Sequence, residues 1–469
     1  MAKKRSKKRL YRFISTSIFS LISILFVSSL FLLNLLPMYY MIGITIILLI
    51  ISIGIIKLIN SKLHALGVTL ATILSLIYLV LSIYIVPTLI FFGGFREKVD
   101  YNYAILVLKD SNYNKKSDLK NKDVYVYKDR DDLNKDISKK VNTNVLNDGD
   151  FDNLIDKLDN KKIAAVVVDT SYLDMLNEEN DKFMNNYKII DKFTITKYIK
   201  KNKNNTDITK KPYNILITGI DTSGKVSGVA RSDVNILVTV NPKDNKILLT
   251  SIPRDYYVEI KEGKTKDKLT HSGIYGVETT KYAVSKLLDT EIDYYIKVNF
   301  SSVVNIVDTL GGIEINSDTN FTSGIYEYNE KRFTFKQGKN KVNGKQALAF
   351  ARERKSFVDG DRRRNIHQQE VIKGILNKVL EPNILVKYNS LLNTLSDSFI
   401  TDMDSDDIKK IIKNQIKDNK KWEITNSYLT GKDGYESTYS YKAKLYVMIP
   451  DEDSVSDAQS KIKEFMKSN

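Results

Sequence analysis

The sequence predicts an α/β protein with three parts: three N-terminal transmembrane helices, a small α/β domain, and a larger α-β-α domain with a mixed central sheet. Residues 13–95 contain just two formally charged side chains, as membrane-embedded helices require. Beyond them, short apolar runs alternate with amphipathic stretches, which is typical of strands and helices packed in layers. A polar linker at 200–212, rich in Asn and Lys, separates the two α/β domains at 97–199 and 213–469.

The N-terminal part begins with a basic tail, because seven of residues 1–12 are Lys or Arg. Three apolar stretches follow, each long enough to supply the roughly 20 residues that cross a bilayer, at 13–36, 38–59 and 66–92. Basic side chains favour the cytoplasmic side, so the tail and the loop around Lys57 and Lys62 are expected inside. An odd number of spans then puts residues 97–469 outside the cytoplasm, whereas two spans would keep them inside.

Residues 97–199 are expected to form a small extracytoplasmic accessory domain. Apolar runs predict strands at Tyr103–Leu108, Asp123–Tyr127 and Ile163–Asp169. Amphipathic spacing predicts helices at Asp131–Val141, Phe151–Leu158 and Ser171–Asn185. The acidic residues of this domain are interpreted as solvated helix faces, so no catalytic group is expected in it.

The larger domain opens with three apolar strands, at Asn214–Ile220, Val234–Val240 and Lys246–Ile252. Further strands are predicted at Tyr294–Phe300, Ile313–Ile315, Trp422–Tyr428 and Lys444–Ile449. Helices are predicted at Val277–Leu288, Ser301–Leu310, Asn343–Arg354, Asp361–Leu380, Leu385–Ser398, Ser405–Asp418 and Ser454–Lys467. Ser301 is the expected N-cap of its helix. This alternation predicts a mixed sheet between helical layers.

Charged residues stand at the ends of the first three strands of the larger domain. Asp221 follows the first strand, Arg231 and Asp233 precede the second, and Arg254 follows the third. Strands that end together form a cleft at one edge of a sheet. Two carboxylates suggest a site for Mg²⁺, with Mn²⁺ as the alternative, because the chain has no cysteines and only three His. The arginines beside them suggest a phosphate-type ligand. The alternative is that Asp233 merely pairs with Arg231 while Asp221 caps a turn.

The stretch from Gly219 to Lys225 imitates a P-loop, since glycines stand at both ends of the spacing and Lys follows the second. A P-loop needs Ser or Thr next and then a helix. Here Val226 follows, and the chain leads into another strand. Asp221 would also bring a negative charge into the phosphate cradle, so a P-loop nucleotide site is excluded.

Arginine is used selectively in this chain, which has 13 Arg against 59 Lys and a net charge of +16. Seven of the eight arginines after Pro212 fall in a few short motifs, at Arg231, Arg254, Arg352, Arg354, Arg362, Arg363 and Arg364. A planar guanidinium can hold two oxygens at once, which Lys cannot do. The pattern favours an anion-binding site over a solvated basic face.

Several motifs together resemble the LytR–CpsA–Psr family, in the family's order from Tyr213 to about Leu380. They are GID, GVARSD, SIPRDYYV, KLTH, VNF, VDTLGG, FARER and GDRRRNIHQQ. Members of this family transfer glycopolymers from a polyprenyl carrier to peptidoglycan. Those from capsule loci have three membrane spans and an accessory domain, which is the arrangement predicted for this chain. The resemblance thus implies that residues 213–469 form the catalytic domain.

The resemblance also implies roles for individual residues. Asp221 and Asp233 are expected to hold the metal. The catalytic set is Asp233, Arg231, Arg254 and Asp361, and the pyrophosphate-binding set is Arg231, Arg254, Arg352, Arg354, Arg364 and Gln368. Lys286 is added to the binding set because of its place on the helix Val277–Leu288, and not because of the resemblance.

Helical spacing refines these expectations. Arg352 and Arg354 can reach one site if the helix ends between them. Asp361, Arg364 and Gln368 share one helical face, whereas Arg362 and Arg363 are expected to face solvent. His271 is interpreted as a structural residue.

The predicted function is Mg²⁺-dependent transfer of a polyprenyl-pyrophosphate-linked glycopolymer to peptidoglycan. The glycan is expected to be capsular polysaccharide, with wall teichoic acid as the alternative. The carrier lipid is expected in an apolar groove between the sheet and the two helices at Val277–Leu288 and Ser301–Leu310. The expected setting is the membrane of a Gram-positive-type bacterium, with the bilayer and other capsule-assembly proteins as further partners and no nucleic acid.

Two other functions are open. A pyrophosphatase would use water as the acceptor in the same site. A membrane-bound regulator of capsule or cell-wall genes would need a cytoplasmic reader, and about twelve residues are too few to form a core.

Overall fold

The structure is a computed structural model. It describes residues 2–467 apart from 95–97, 128–130, 203–206, 223–225, 227, 264, 326–330, 359, 382–397, 419 and 442–443, and the side chain of Asp361 also lies outside the description. The predicted helix Leu385–Ser398 falls almost wholly on residues outside it.

Three long apolar helices form the N-terminal part: α1 Ala2–Leu33, α2 Met38–Asn60 and α3 His64–Gly94. All three are long and apolar enough to cross a membrane, as predicted. They pack on one another through side chains such as Phe26 and Tyr78, whose rings stack at 4.4 Å. Arg12 donates to the carbonyl of Ser61 at 2.7 Å. The basic tail and the α2–α3 loop therefore lie at the same end of the helix bundle.

The accessory domain is a five-stranded sheet in the order β3-β2-β4-β1-β5 with helices packed on it. Its strands are β1 Lys98–Leu108, β2 Val124–Tyr127, β3 Val145–Asp148, β4 Ala165–Asp169 and β5 Tyr187–Tyr198. Its helices are α4 Asp131–Val141, α5 Phe151–Asp159 and α6 Thr170–Glu179. β3 and β5 were not predicted from the sequence, and α6 is shorter than the predicted helix Ser171–Asn185. β5 is an edge strand in which Lys and Asp residues interrupt the apolar residues, so it lacks an apolar run.

The larger domain is built on a six-stranded mixed sheet in the order β16-β11-β6-β7-β8-β17. Its main strands are β6 Tyr213–Ile220, β7 Val234–Asn241, β8 Lys246–Ile252, β11 Tyr294–Asn299, β16 Phe399–Thr401 and β17 Glu423–Tyr428. β7 pairs antiparallel with β6 and β8, while β11 runs parallel to β6 and β17 runs parallel to β8. The predicted mixed sheet is confirmed.

Smaller strands extend this domain: β9 Tyr257–Lys261, β10 Thr265–Lys268, β12 Ile313–Ser317, β13 Phe321–Thr322, β14 Thr334–Phe335, β15 Gly338–Val342, β18 Gly431–Ser437 and β19 Lys444–Pro450. Its helices are α7 Leu269–Ser272, α8 Val277–Leu288, α9 Phe300–Thr309, α10 Gly344–Arg352, α11 Gly360–Val379, α12 Ser405–Asp418 and α13 Glu452–Phe465. Asn299, not Ser301, caps α9, because its side chain accepts from the Ser302 amide at 2.9 Å.

The two faces of the central sheet carry different helices. Successive strand residues point to opposite faces. Leu216 packs in a core with Val284 of α8 and Ile462 of α13. Ile217 is on the other face, in contact with the cluster that contains Ile372 of α11. α9 and α10 pack against α11 on this second face, through a core around Val307 and Phe350. The domain is thus an α-β-α sandwich, as predicted.

Candidate functional site

A cavity of about 340 Å³ opens on the α11 side of the central sheet. It lies at the edge where β6, β8 and β11 end and β7 begins, so it collects the residues that follow or precede these strands. Its charged and polar lining residues are Glu178, Asp221, Arg231, Asp233, Arg254, Asn299, Arg352, Arg354, Lys355, Arg364 and Gln368. The predicted strand-end cleft is therefore present, and ten of these eleven residues come from the larger domain.

Asp233 is the most enclosed carboxylate of the cavity, with 11% of its side chain exposed. Its Oδ1 accepts from Nη1 of Arg254 at 2.7 Å and from Oγ1 of Thr270 at 3.1 Å. Burial acts to raise the pKa of Asp233, but the charges of Arg254 and Arg231 outweigh it and hold that pKa below its ordinary value. Asp233 is consequently ionised at neutral pH.

Asp221 sits across the cavity with 44% of its side chain exposed. Desolvation raises the pKa of Asp221, and the negative charge of Asp233 raises it further. The positive charge of Arg352, whose Nη2 lies 3.5 Å from Oδ1 of Asp221, lowers that pKa but does not cancel the rise. The two carboxylates are therefore close enough to repel each other. The alternative interpretation, in which Asp233 merely pairs with Arg231, is wrong, because the ion-pair partner of Asp233 is Arg254.

Two carboxylates that repel each other in one cavity fit a divalent cation, which would relieve that repulsion. Their hard oxygen atoms suit Mg²⁺. Among the described residues, no cluster of three or more His, Asp or Glu side chains is placed to hold a metal ion. A cation held by Asp221 and Asp233 would thus take its other oxygens from phosphate and water, as Mg²⁺ commonly does.

The end of α10 brings two arginines to the cavity. The helix stops at Arg352, and Glu353 adopts an extended conformation. Glu353 is buried and accepts from the amides of Gly324 at 2.6 Å and Ser356 at 3.0 Å. This anchor turns the chain, so Arg354 lines the same cavity as Arg352. The condition for both arginines to reach one site is met, because the helix ends at Arg352 and not at the predicted Arg354. The guanidinium of Arg352 also lies 4.0 Å from the ring centroid of Phe300.

The first turns of α11 supply Arg364 and Gln368, one turn apart on the cavity side. Val371 and Ile372 continue the same face into the apolar floor. Asp361 begins the predicted stripe, and its side chain lies outside the described part. The helical-face prediction is therefore met by the two members that the structure describes.

The neighbouring arginines of α11 point away from the cavity. Arg362 is exposed and donates to the carbonyl of Gly431 at 3.0 Å. Arg363 pairs with Asp318 and lies over the ring of Phe357, so the solvent-facing prediction is wrong for Arg363. The GDRRRNIHQQ motif therefore places its cavity residues, Arg364 and Gln368, on one face of α11, and Arg362 and Arg363 on other faces of the same helix.

Lys286 does not line the cavity. It is exposed on α8, and α8 packs on the opposite face of the sheet. The prediction that Lys286 belongs to the pyrophosphate site is therefore wrong. The error arose because the sequence pattern of a helix does not tell which face of a sheet the helix covers.

His271 is buried, and its Nδ1 lies 2.7 Å from Oδ1 of Asp267 and 2.8 Å from Oγ of Ser440. This position agrees with the interpretation of His271 as a structural residue.

The apolar part of the cavity differs from the predicted groove. Its lining residues are Ile217, Ile220, Val234, Val298, Phe300, Val303, Leu348, Ala351, Val371 and Ile372. They come from the sheet, α9, α10 and α11, whereas α8 lies on the other face. The prediction that the lipid groove lies between the sheet and the two helices α8 and α9 is therefore wrong for α8. It holds for α9, which contributes Val303 to the apolar lining.

The residues missed at the level of sequence include Lys355 and Asn299 of the lining, and two further contributors with specific contacts. Thr270 lies inside the KLTH motif, and its hydroxyl at Asp233 gives that motif a role. Glu178 comes from α6 of the accessory domain and pairs with Arg231 across the mouth of the cavity. Nothing in the local sequence around Glu178 signals this long-range contact.

Comparison with known proteins matches the catalytic part of the chain. The sequence model of the LytR_cpsA_psr family matches residues 177–464. A protein of Bacillus licheniformis named polyisoprenyl-teichoic acid–peptidoglycan teichoic acid transferase TagU is 34% identical over 262 residues, 54% of this chain and 78% of that protein. A protein of the same name from Bacillus subtilis is 34% identical over 275 residues, 57% of this chain and 83% of that protein.

Solved structures also match. The crystal structure of B. subtilis TagU is 32% identical and covers 55% of this chain and 99% of that chain, with a TM-score of 0.43. The structure of protein gbs0355 from Streptococcus agalactiae is 28% identical and covers 57% of this chain and 92% of that chain, with a TM-score of 0.48.

Proposed function

The chain belongs to the LytR–CpsA–Psr family, whose model matches more than half of it, and from this membership and the cavity we propose that it transfers a glycopolymer from a polyprenyl pyrophosphate to peptidoglycan. Its relatives are named as transferases of polyisoprenyl-linked teichoic acid to peptidoglycan, which supports glycopolymer transfer as the activity. The observation that carries the proposal is one cavity with five arginines and three carboxylates at its mouth and apolar side chains at its floor.

The proposed reaction forms one phosphodiester and breaks one pyrophosphate bond. The oxygen of a peptidoglycan hydroxyl attacks the phosphorus that bears the glycan. The bond from that phosphorus to the bridging oxygen breaks, and polyprenyl phosphate leaves. At neutral pH the hydroxyl proton is shared between the departing monophosphate and water, because the second pKa of a phosphate monoester is about 6.

The arginines supply the electrostatic part of this chemistry. A pyrophosphate carries two negative charges, and an attacking oxygen brings more electron density to it. Arg254 and Arg352 are already held by carboxylates and a ring, so their donors are placed before the substrate arrives. Preorganised donors of this kind stabilise charge in the transition state without reorganisation. Arg231, Arg354, Arg364 and Gln368 are proposed to bind the same pyrophosphate.

Mg²⁺ is the proposed cofactor, held by Asp221 and Asp233. When bound, it would neutralise phosphate charge and polarise the reacting phosphorus. Asp233 is suited to this role because its lowered pKa keeps it ionised, while Asp221 reaches the exposed side of the cavity. The residues Asp361 and Arg254 complete the proposed catalytic set.

The aliphatic floor is proposed to hold the first isoprene units of the carrier lipid. Each buried methylene contributes about 0.8 kcal/mol, so a short enclosed segment adds substantial affinity. Three helices able to span a membrane anchor the chain next to its lipid substrate. The proposed orientation has the basic tail in the cytoplasm and residues 98–467 outside, in a Gram-positive-type bacterium.

Capsular polysaccharide is the proposed glycan, with wall teichoic acid as the alternative that the names of the relatives favour. The accessory domain and three spans support the capsular assignment, in which other capsule-assembly proteins are further partners.

The proposal is tested with purified full-length protein in nanodiscs, Mg²⁺, and a lipid-linked glycan of each class, with and without peptidoglycan oligomers. Acceptor-dependent consumption of the lipid-linked glycan is expected. Equal consumption without acceptor would instead identify a pyrophosphatase. A protein that consumes neither class of glycan would refute the assignment.

A further inference from the structure

The short loop that carries Arg231 and Asp233 is held from both domains. Its described residues run from Gly228 to Asp233. On the catalytic side, the amide of Asp233 donates to Gly219 at 2.8 Å and the amide of Ser232 donates to Thr270 at 2.9 Å. These bonds fix the end of the loop that leads into β7.

The other end of the loop is bonded to the accessory domain. The amide of Gly228 donates to the carbonyl of Asp100 in β1 at 3.1 Å. The hydroxyl of Ser171 in α6 donates to the carbonyl of Val229 at 2.8 Å. A Cβ at position 228 would overlap Val99, so glycine permits this close approach of the two domains. The accessory domain thus holds the part of the loop that precedes Arg231.

The two domains also share core residues, which makes this interface rigid. Val99 of β1 is buried in the catalytic core beside Leu216 and Tyr256. In the reverse direction, Ile274 of the catalytic domain is buried in the accessory core beside Tyr172. The hydroxyl of Tyr172 donates to the carbonyl of Ser440 at 2.7 Å. Side chains inserted in both directions resist sliding and rotation of one domain on the other.

Glu178 is the accessory residue that reaches the cavity. Its two carboxylate oxygens face the two terminal nitrogens of Arg231, and it is one of the residues lining the cavity. Arg231 is 23% exposed and pairs with Glu178, and its charge also reaches Asp233, whose pKa it lowers. Without Glu178, the guanidinium would turn towards Asp233, whose Oδ1 already accepts two bonds.

We propose that the accessory domain is a working part of the site: it holds the loop Gly228–Asp233 in place, and Glu178 is a positioning residue that keeps Arg231 available for the phosphate and Asp233 available for the cation. This inference rests on the proposed function for its substrate. It assigns a role to the accessory domain, since the same interface that joins the domains also shapes the anion site.

The test measures two quantities on full-length protein in nanodiscs. The first is the affinity for inorganic pyrophosphate with Mg²⁺, by isothermal titration calorimetry, which needs no transferase activity. The second is kcat and KM for the lipid-linked glycan. Glu178→Gln removes the charge, Glu178→Asp keeps it on a shorter side chain, and Asp181→Asn is the control, because it removes a nearby exposed charge outside the cavity.

Glu178→Gln is expected to weaken pyrophosphate binding by roughly two- to five-fold, the range that a partly exposed ion pair carries. The loss in transfer should appear mainly in KM, because Arg231 contacts the bound pyrophosphate before reaction. Glu178→Asp should recover part of the loss, and Asp181→Asn should match the wild type. Ser171→Ala, which removes a loop bond without changing charge, should weaken binding in the same direction and serves if Glu178→Gln fails to fold.

A double-mutant cycle identifies the partner. In an Arg231→Gln background, Glu178→Gln should change affinity by less than about 1.5-fold, because the pair is already broken. Unchanged or tighter pyrophosphate binding in Glu178→Gln would overturn the positioning role, since Glu178 would then be a competing anion. An equal loss in both backgrounds would also overturn it. If pyrophosphate binding responds as expected while no glycan is transferred, the proposed function fails and the positioning role stands.

Discussion

His367 should make the catalytic domain sensitive to acid, because it is buried in a ring cluster on the helix that carries Arg364 and Gln368. Its Nδ1 donates to the carbonyl of Phe350 at 3.0 Å. Its ring stacks on that of Phe350 at 4.0 Å and on that of Phe321 at 5.3 Å. Burial lowers the pKa of His367 to about 4. The structure therefore requires a neutral imidazole.

The size of the effect follows from this pKa. An unfolded His titrates near 6.5, so between pH 6.5 and about 4 the unfolded chain binds more protons than the folded protein. The stability due to neutral His367 is complete above about pH 6.5 and is lost as the pH falls towards 4. The limiting loss is about 3 kcal/mol, and at pH 4.5 roughly 2.5 kcal/mol is lost.

The measurement is thermal unfolding of the full-length protein in detergent at pH 7.5 and pH 4.5, for the wild type and for His367→Gln. Gln can donate to the Phe350 carbonyl but does not titrate in this range. At 2–4 °C per kcal/mol for a domain of this size, the wild type should lose about 5–10 °C more than the variant on acidification. Equal losses would mean that His367 is protonated without cost, which contradicts its enclosure by the aromatic rings.

Three further predictions concern the cavity. Asp233→Asn should lower kcat by about 100-fold, which is the usual effect of losing a preorganised charge. The control is Asp318→Asn, which breaks the ion pair with Arg363 outside the cavity and should leave kcat within about two-fold of the wild type. Arg354→Lys should lose nearly as much kcat/KM as Arg354→Ala, roughly 10- to 100-fold, because two phosphate oxygens need a planar fork; a Lys that retained most activity would contradict this. Asp221→Asn should lower turnover yet raise the Tm of the ligand-free protein at pH 7, because the raised pKa of Asp221 makes its charged form unfavourable above the ordinary Asp range. A lower Tm would contradict the raised pKa of this carboxyl.

The sequence alone predicted the central architecture because its strongest patterns are local. The apolar runs at β6, β7 and β8 and the long uncharged N-terminal stretch need no tertiary information. The sequence also showed that α10 must end between Arg352 and Arg354 if both are to reach one site, because two residues at that spacing cannot share a helical face, although the predicted helix ran to Arg354. Most of the charged lining residues of the cavity could therefore be named in advance.

The errors share a different cause. Lys286 was misplaced because amphipathic spacing identifies a buried helix face but not the sheet face it covers. The edge strand β5 was missed because one of its sides is solvated and its charged residues interrupt the apolar run. Glu178 was missed because its partner Arg231 is distant in sequence and lies in another domain. Each of these facts depends on contacts between elements, which single-element patterns do not encode.

The most direct test of the proposed reaction is the fate of oxygen. Full-length protein is incubated in ¹⁸O-labelled water with Mg²⁺, a polyprenyl-pyrophosphate-linked glycan and unlabelled peptidoglycan oligomers, and the products are analysed by mass spectrometry. Transfer should give a glycan–peptidoglycan phosphodiester without ¹⁸O, because the new oxygen comes from the acceptor hydroxyl. A glycan phosphate that contains one ¹⁸O, with no phosphodiester product, would contradict the account and show that water is the acceptor in this cavity.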